Sequence, residues 1–406
     1  LDATHDLLIV GSGLVGASLA CALHGSGLRV ALVEASPAVP HAAPSFDERN
    51  LALAHASCQA LQALGVWKHL ATRPSPIQHI HVSSRGDFGA VRLDAADHGV
   101  DAFGAVVVAR ELGAALEARL AELTGLQRLR PARVTALQVH PERIVASAST
   151  PQGEQHLSSR LLVVADGTES LLRRQLGIGT ERQDYEQTLF VATVEPERKH
   201  GQVAYERFTD SGPVAMLPRA DGVCGSICTV SSQQAATIAA LDDAGYVAFL
   251  QERFGWRLGR LRRVGKRSAY PLQRVYAQAL TAPRAVLVGN AAQTIHPVGA
   301  QGFNLGLRDA LTLAGEVIAA QRARTDVGAE DLLARYVQRR RPDREATMAR
   351  SDGLVRLFAN RFAPLRALRS MALTTLGLVP ALGDDLVSGA MGLRHDAMRA
   401  LREDVA

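Results

Sequence analysis

The sequence predicts an α/β chain: a mainly parallel sheet with its helices, an antiparallel sheet inserted into it, and a helical region at the C-terminal end. Three observations predict this. A strand, a glycine-rich turn, a helix and a second strand follow one another within the first 34 residues. Apolar runs at 161–165 and 285–288, each followed by a polar residue and glycine in one order or the other, read as further buried parallel strands. Between them, residues 190–230 break into short β-rich runs split by Gly, Pro and Asp, the texture of an antiparallel sheet.

The first unit is the clearest. Residues 7–10 are an apolar strand, Gly11-Ser12-Gly13-Leu14-Val15-Gly16 follows at once, residues 17–23 are rich in helix formers, and residues 29–34 form a second strand. In such a βαβ unit the first glycine permits the tight turn, the second lets a pyrophosphate approach the backbone, and the third lets helix pack on strand. The anion then sits at a helix N-terminus, which offers free N–H groups and a favourable dipole. Glu34 ends the second strand 23 residues after Gly11. A carboxylate there accepts from ribose hydroxyls and disfavours a 2′-phosphate, so a Rossmann-like domain binding FAD or NAD rather than NADP is expected. Gly11, Gly13, Leu14, Val15, Gly16, Glu34 and Ala35 are its cofactor-binding candidates. Residues 111–123 continue the pattern as a helix, with Leu112, Leu116, Leu120 and Leu123 on its apolar face. Helix signals dominate from Asn304 onward.

A chain of 406 residues suits two or three domains. The expected division is 1–72, 98–180 and 276–350 for the dinucleotide-binding domain, 73–97 and 181–275 for the inserted one, and 351–406 for the helical region. With 47% hydrophobic residues the chain can bury a large core, which excludes wholesale disorder. A net charge of +5 and 4% aromatics argue against a nucleic-acid partner. Four cysteines make no disulfide scaffold. Cys224 and Cys228, four residues apart in a strand, lie roughly 13 Å from each other, too far to bridge. A reducing, cytoplasmic compartment follows, and the first residues show no charged and apolar leader pattern. The apolar run 371–382 falls short of the ~20 residues that span a bilayer.

The second half carries a resemblance. Gly289-Asn290-Ala291-Ala292 with Pro297-Val298-Gly299-Ala300-Gln301-Gly302-Phe303-Asn304-Leu305-Gly306 resembles the second FAD fingerprint of the single-component FAD-dependent aromatic hydroxylases. Val163-Val164-Ala165-Asp166-Gly167 resembles that family's middle fingerprint. The stretches Phe254-Gly255-Trp256-Arg257, Gly265-Lys266-Arg267-Ser268-Ala269-Tyr270-Pro271-Leu272 and Glu206-Arg207-Phe208-Thr209 are similar to the family's ubiquinone-biosynthesis branch.

The resemblance implies an aromatic-hydroxylase type of FAD domain, with the inserted sheet roofing the flavin and supplying a dry substrate pocket. It implies hydride transfer from NAD(P)H to FAD, then O2 activation as a flavin C4a-hydroperoxide that hydroxylates the ring of a polyprenylated phenol. Such a pocket matters because water promotes loss of peroxide before transfer. By position in the family's motifs, Arg49 reaches the pyrophosphate, Arg110 is a flavin-side arginine, and Val134 joins the cofactor contacts. Asp166 and Gly167 hold FAD, and Asn290, where the family usually has Asp, bonds the ribityl chain. Pro297, Gly299, Gly302, Phe303 and Asn304 pass beside the isoalloxazine, the last three offering backbone N–H groups. Gln293 stands where the wider family often has His, so no proton role is expected of it. His296 and Tyr270 are the candidates for a catalytic base, by motif proximity alone. The alternatives are hydroxylation at a different ring carbon of the same pathway, a flavin dehydrogenase or prenyl reductase, and a flavin-binding assembly protein without turnover.

Other patterns carry less. His79 and His81 share one strand face, but no third ligand completes a metal site, and none is expected. Residues 253–274 hold eight Arg and Lys and no acid, and Arg339-Arg340-Arg341 is a second basic run; solvated faces are the simpler reading. The tail alternates Leu354, Val355, Leu357, Phe358 and Phe362 with Arg356, Arg361, Arg366 and Arg369. It packs on its own domain or docks on other ubiquinone-biosynthesis proteins or on the inner face of the membrane as a peripheral contact.

Overall fold

The computed structural model describes residues 4–37, 49–359, 363–378, 389 and 391–392. Its first sheet contains β1 (His5–Val10), β2 (Val30–Val33), β8 (Leu126–Leu129), β9 (Arg133–Val139), β10 (Ile144–Thr150), β11 (Gly153–Val164), β18 (Thr281–Ala282) and β19 (Ala285–Leu287). The order is β18-β19-β11-β1-β2-β8, and β19, β11, β1, β2 and β8 run parallel. β11 serves twice: its first half pairs antiparallel with β10, while residues 159–164 join β1. The apolar runs read as buried strands therefore lie side by side. Leu7, Leu8, Ile9, Leu161, Leu162, Val163, Val286 and Leu287 have no exposed surface and centre the main core.

Helices α1 (Leu14–Ala22), α3 (Ala109–Ala121), α7 (Gln301–Arg322) and α8 (Glu330–Ala359) flank this sheet. α1 and α7 touch through glycine. A Cβ at Gly306 would lie 2.7 Å from Val15 Cγ2, so only hydrogen fits between the helices. Val15, a cofactor candidate, thus serves packing.

The inserted sheet contains β5 (His79–Ser84), β6 (Ala90–Asp94), β12 (Thr180–Pro196), β13 (Val203–Thr209), β14 (Gly212–Pro218), β15 (Cys224–Ser231), β16 (Leu261–Val264), β17 (Ser268–Ala277) and β20 (Gln293–Thr294). The β5–β6 hairpin joins through a parallel pairing of β5 with β13. One face is covered by α5 (Ser232–Ala239) and α6 (Asp243–Phe254), over a core of Phe190, Met216, Cys228, Tyr246 and Leu250. The other face looks toward a small sheet of β3 (Asn50–Ala54), β4 (Ser75–Ile77) and β7 (Gly104–Val108), near α2 (His55–Ala63). There Ala204 and Leu217 share a cluster with Val106, Ala52 and Ile227. All four cysteines are free.

Two expectations about charge change. Part of the basic run 253–274 is paired with acids from other elements: Arg263 with Glu195 of β12 at 2.6 Å, Arg267 with Asp243 of α6 at 3.5 Å and Arg274 with Asp352 of α8. Arg253 is buried, and its guanidinium reaches Thr209, Ser211 and the Thr229 carbonyl. Arg340, in the second basic run, is 2% exposed. His79 does have an acid beside it, Asp94 at 3.0 Å across the hairpin, and the described residues contain no cluster able to hold a metal. In the tail, Phe358 stacks on Phe208 and Arg366 pairs with Asp87 from α9 (Ala363–Leu378). Arg361 and Phe362 lie outside the described residues. No described helix is long and apolar enough to cross a membrane.

Candidate active site

The glycine turn, Glu34, Asp166 and Asn290 follow the carboxyl ends of β1, β2, β11 and β19, where ligands bind in open parallel sheets. The glycine turn is built as its spacing requires. Gly11 has φ +106, and a Cβ there would meet the Ala165 carbonyl oxygen at 2.4 Å; at Gly16 it would lie 2.0 Å from the Gly11 oxygen. Gly13 is the reverse, with nothing within 4 Å of a Cβ, and neither are Gly167, Gly299 or Gly302 obstructed. Gly11 and Gly16 are therefore demanded by the protein, while the other four border open space. α1 begins after Gly13 with no side-chain cap, so its first amides face that space.

Glu34 closes one end. Its carboxylate accepts from the amides of Ser12 and Ser36, both at 2.8 Å, which fixes the acid beside the turn. Ala35 follows it directly. Val134 is 5% exposed, its strand paired with β10, and its side chain packs in the main core.

Asp166 follows β11. One carboxylate oxygen is buried without a partner. Burial pushes its pKa above the usual carboxylate range, against hydrogen bonds from Ser170 and the Leu172 amide. A buried orphan oxygen is costly unless a ligand completes it. Arg173 fixes this loop: 2% exposed, it donates to the Thr168 carbonyl at 2.9 Å and to Ala291 at 2.8 Å, tying the Asp166 loop to the turn of Asn290. Asn290 itself is exposed at the end of β19.

The second fingerprint forms α7 and the loop before it. Gly299 has φ +69 and Ala300 φ +51, and α7 opens without a side-chain cap. Gln301, Gly302 and Phe303 thus lack intrahelical acceptors, whereas Asn304 is the first amide that the helix can satisfy. Asn304 contributes differently from the expectation. Its side chain is buried, donates to Ala52 and Ala300 and accepts from the Ala54 amide at 2.9 Å, clamping β3 to α7. Pro297 turns the chain into this loop.

Beneath it lies a charged core that sequence patterns did not disclose. Asp309 accepts from the Gly289 amide at 3.1 Å, from Gln293 at 2.7 Å and from Arg340 at 2.7 Å. Arg340 also meets Asp343, which binds Arg308 at 2.8 Å. Burial works against the Arg340 charge, and Asp309 with Asp343 more than offsets it. Gln293 accepts in turn from Arg344 at 2.8 Å. The amide at this position is a structural relay, so a missing histidine removes no proton route.

Of the two expected bases, His296 is not poised as one. His296 is 1% exposed. Its Nδ1 accepts from the Val298 amide at 3.2 Å, which leaves Nε2 to donate to Gln187 at 3.1 Å. No lone pair remains for a phenol proton. Tyr185 meets the ring edge-on at 4.9 Å, and burial lowers the pKa to about 4, with Asp352 opposing. Tyr270 is partly buried, with the Arg49 guanidinium over its ring at 5.1 Å. Arg49 thus bridges the two domains. Arg110 enters α3 at its second residue, just after β7.

The His296 environment gives a testable pH effect. The unfolded chain binds the proton near the ordinary 6.5, the folded one only near 4, so this group's contribution to stability falls as pH drops through that window. At pH 5 the loss is about 2 kcal/mol. In His296→Gln the decline in urea-unfolding free energy between pH 7.5 and pH 5 should be smaller by about that amount. Equal declines would refute the assignment.

An open cradle of glycines, two uncapped helix starts and an unpartnered Asp166 oxygen fit an anionic dinucleotide whose ring edge accepts hydrogen bonds and whose sugar hydroxyls donate them. These features define a dinucleotide-binding flavoprotein, and residues 4–351 match the FAD-binding domain family. The chain belongs to that family and is an FAD-dependent monooxygenase of the aromatic-hydroxylase fold. Ubiquinone hydroxylase UbiL of Rhodospirillum rubrum is 38% identical over 382 residues, covering 94% of this chain and 87% of that protein. Ubiquinone hydroxylase UbiM of Neisseria meningitidis is 30% identical over 93% of this chain and 82% of its own length. The crystal structure of p-nitrophenol 4-monooxygenase PnpA from Pseudomonas putida superposes with a TM-score of 0.77, at 18% identity, over 95% of this chain and 97% of that one. That last likeness is one of fold.

Proposed function

We propose that this enzyme hydroxylates the aromatic ring of a polyprenylated phenol in ubiquinone biosynthesis, with FAD resident, NAD(P)H as reductant and O2 as oxidant. Within that branch the nearest reading is a 2-octaprenyl-6-methoxyphenol hydroxylase, UbiH. The observation that carries the reading is the placement of the FAD cradle opposite an apolar sheet face. Leu189, Val191 and Leu272 form an apolar cluster with Ile227 and Tyr185, Ile227 also meets Ala52 of β3, and His296 of the loop before α7 reaches this sheet through Gln187 and Tyr185. When bound, FAD supplies hydride acceptance and oxygen activation, the chemistry that side chains lack. The protein's residues hold and shield it: Gly11 to Gly16 and Glu34 at the adenosine end, Asp166 and Asn290 along the chain, Gly302 and Phe303 at the ring. The apolar face keeps water from the reacting atoms.

The purified protein should be yellow. A short-chain prenylated 2-methoxyphenol should accelerate NAD(P)H oxidation and yield product carrying one oxygen from isotopically labelled O2. A flavin-loaded protein whose NAD(P)H oxidation ignores every such phenol would fit an assembly role instead. Product without label would indicate a dehydrogenase.

A further inference from the structure

The inserted sheet carries a partly buried acid, Glu206, that no described residue partners. Glu206 lies in β13 opposite Ala215 on β14 and Val82 on β5. Alternation along the strand sets its face. Tyr205 and Arg207 point to α6, where Tyr205 meets the Phe254 ring edge-on at 5.6 Å and Arg207 donates to the Phe254 carbonyl at 3.0 Å. Ala204, Glu206 and Phe208 therefore share the opposite face, the one toward the FAD domain. Ala204 belongs to the cluster of Leu217, Ala52 and Ile227, and the Ala52 carbonyl is held by Asn304 in the first turn of α7. Phe208 stacks on Phe358 of α8. Register places Glu206 in one cross-strand row with Ala215, Ile227, Val191 and Ser268. Glu206 is the only charged residue in that row.

We infer that Glu206 is the general base of the ring hydroxylation, binding the substrate's phenolic hydroxyl and taking its proton; this rests on the phenol reading above. The O–H bond breaks, the proton passes to a Glu206 carboxylate oxygen, and the electron pair stays on the phenolate oxygen, which enriches the ring for attack by activated oxygen. No electrons change hands in this step.

The environment suits the task. Glu206 is set deep in the protein yet retains some accessible surface, so it borders open space. Burial alone raises its pKa to about 7, closer to a phenol's than an ordinary carboxylate's, as proton transfer requires. The groups around it are otherwise committed. Tyr205, Arg207 and His81 belong to the other face, where His81 packs on Tyr205. Asp352 of α8 binds Tyr185 and Arg274, Arg350 reaches Thr347 at 3.3 Å, and Arg356 is exposed. Val82 and Ala215 are apolar.

The test compares wild type with Glu206→Gln in the FAD-loaded enzyme, using a short-chain prenylated 2-methoxyphenol. The variant should keep its flavin content and its thermal unfolding midpoint while product formation at pH 8 falls at least thirtyfold. Wild-type product formation should decline below a midpoint near pH 7, and that limb should vanish in the variant. A second measurement needs no variant: wild type should bind the phenol at least tenfold tighter than its O-methyl ether, by perturbation of the flavin spectrum. Glu206→Gln product formation within twofold of wild type, or equal affinity for phenol and ether, overturns the assignment. If wild type itself makes no product from the phenol, the substrate reading falls first.

Discussion

Asp309→Ala should lower the unfolding free energy by about 3–5 kcal/mol, the usual cost of stripping one partner from a buried ion network. Arg340 and Asp309 are each 2% exposed, so water cannot replace the lost carboxylate. Three donors lose their acceptor together: the Gly289 amide, the Gln293 side chain and Arg340. Arg340 keeps Asp343 at 2.7 Å, which limits the loss to one partner. Asp309→Asn should cost less, because an amide oxygen still accepts one of the bonds. Urea unfolding of the three proteins at neutral pH checks the ranking. FAD retention should fall in the same order, since Gly289 leads directly into the Asn290 turn. An Asp309→Ala protein as stable as wild type would mean that the network contributes nothing net.

That network marks the boundary of what the sequence discloses. The glycine turn is legible because part of the reason is local, a positive φ at Gly11 and the Gly11 oxygen against Gly16, although the Ala165 carbonyl that also crowds Gly11 comes from a distant strand. The buried parallel strands are legible for the same reason, since a run such as Leu7 to Val10 announces burial on both faces. Partners set by long-range register are not. The run 253–274 reads as an unbalanced basic face, yet its acids, Glu195, Asp243 and Asp352, arrive from elsewhere in the chain. Arg173 looks like one basic residue in a short helix until its bond to Ala291 is seen. His296 stands beside the flavin loop in sequence, and proximity suggests a base; tertiary packing occupies both ring nitrogens instead. Glu206 shows the opposite case: its stretch resembles the ubiquinone-biosynthesis branch, but nothing local assigns it a role, and only its row in the sheet suggests one.

The contrast between two glycines of one turn gives the sharpest test of the cofactor site. Gly13→Asp should leave the fold intact and weaken FAD binding about a thousandfold, roughly 4 kcal/mol. The side chain meets no protein atom, because nothing lies within 4 Å of the Cβ position and the backbone there has ordinary negative φ. What it meets is the pyrophosphate, as bulk and as a like charge at the uncapped start of α1. Gly13→Ala should lie between, losing affinity through bulk alone. Gly16→Ala should behave differently. Its Cβ would stand 2.0 Å from the Gly11 carbonyl oxygen and 3.3 Å from the Ala165 side chain, so the helix must move away from the strand and stability falls even without FAD. Flavin titration and thermal unfolding of the FAD-free proteins separate the two effects. If Gly13→Asp bound FAD as tightly as wild type while holding its fold, the open space above that residue would not be where the pyrophosphate lies.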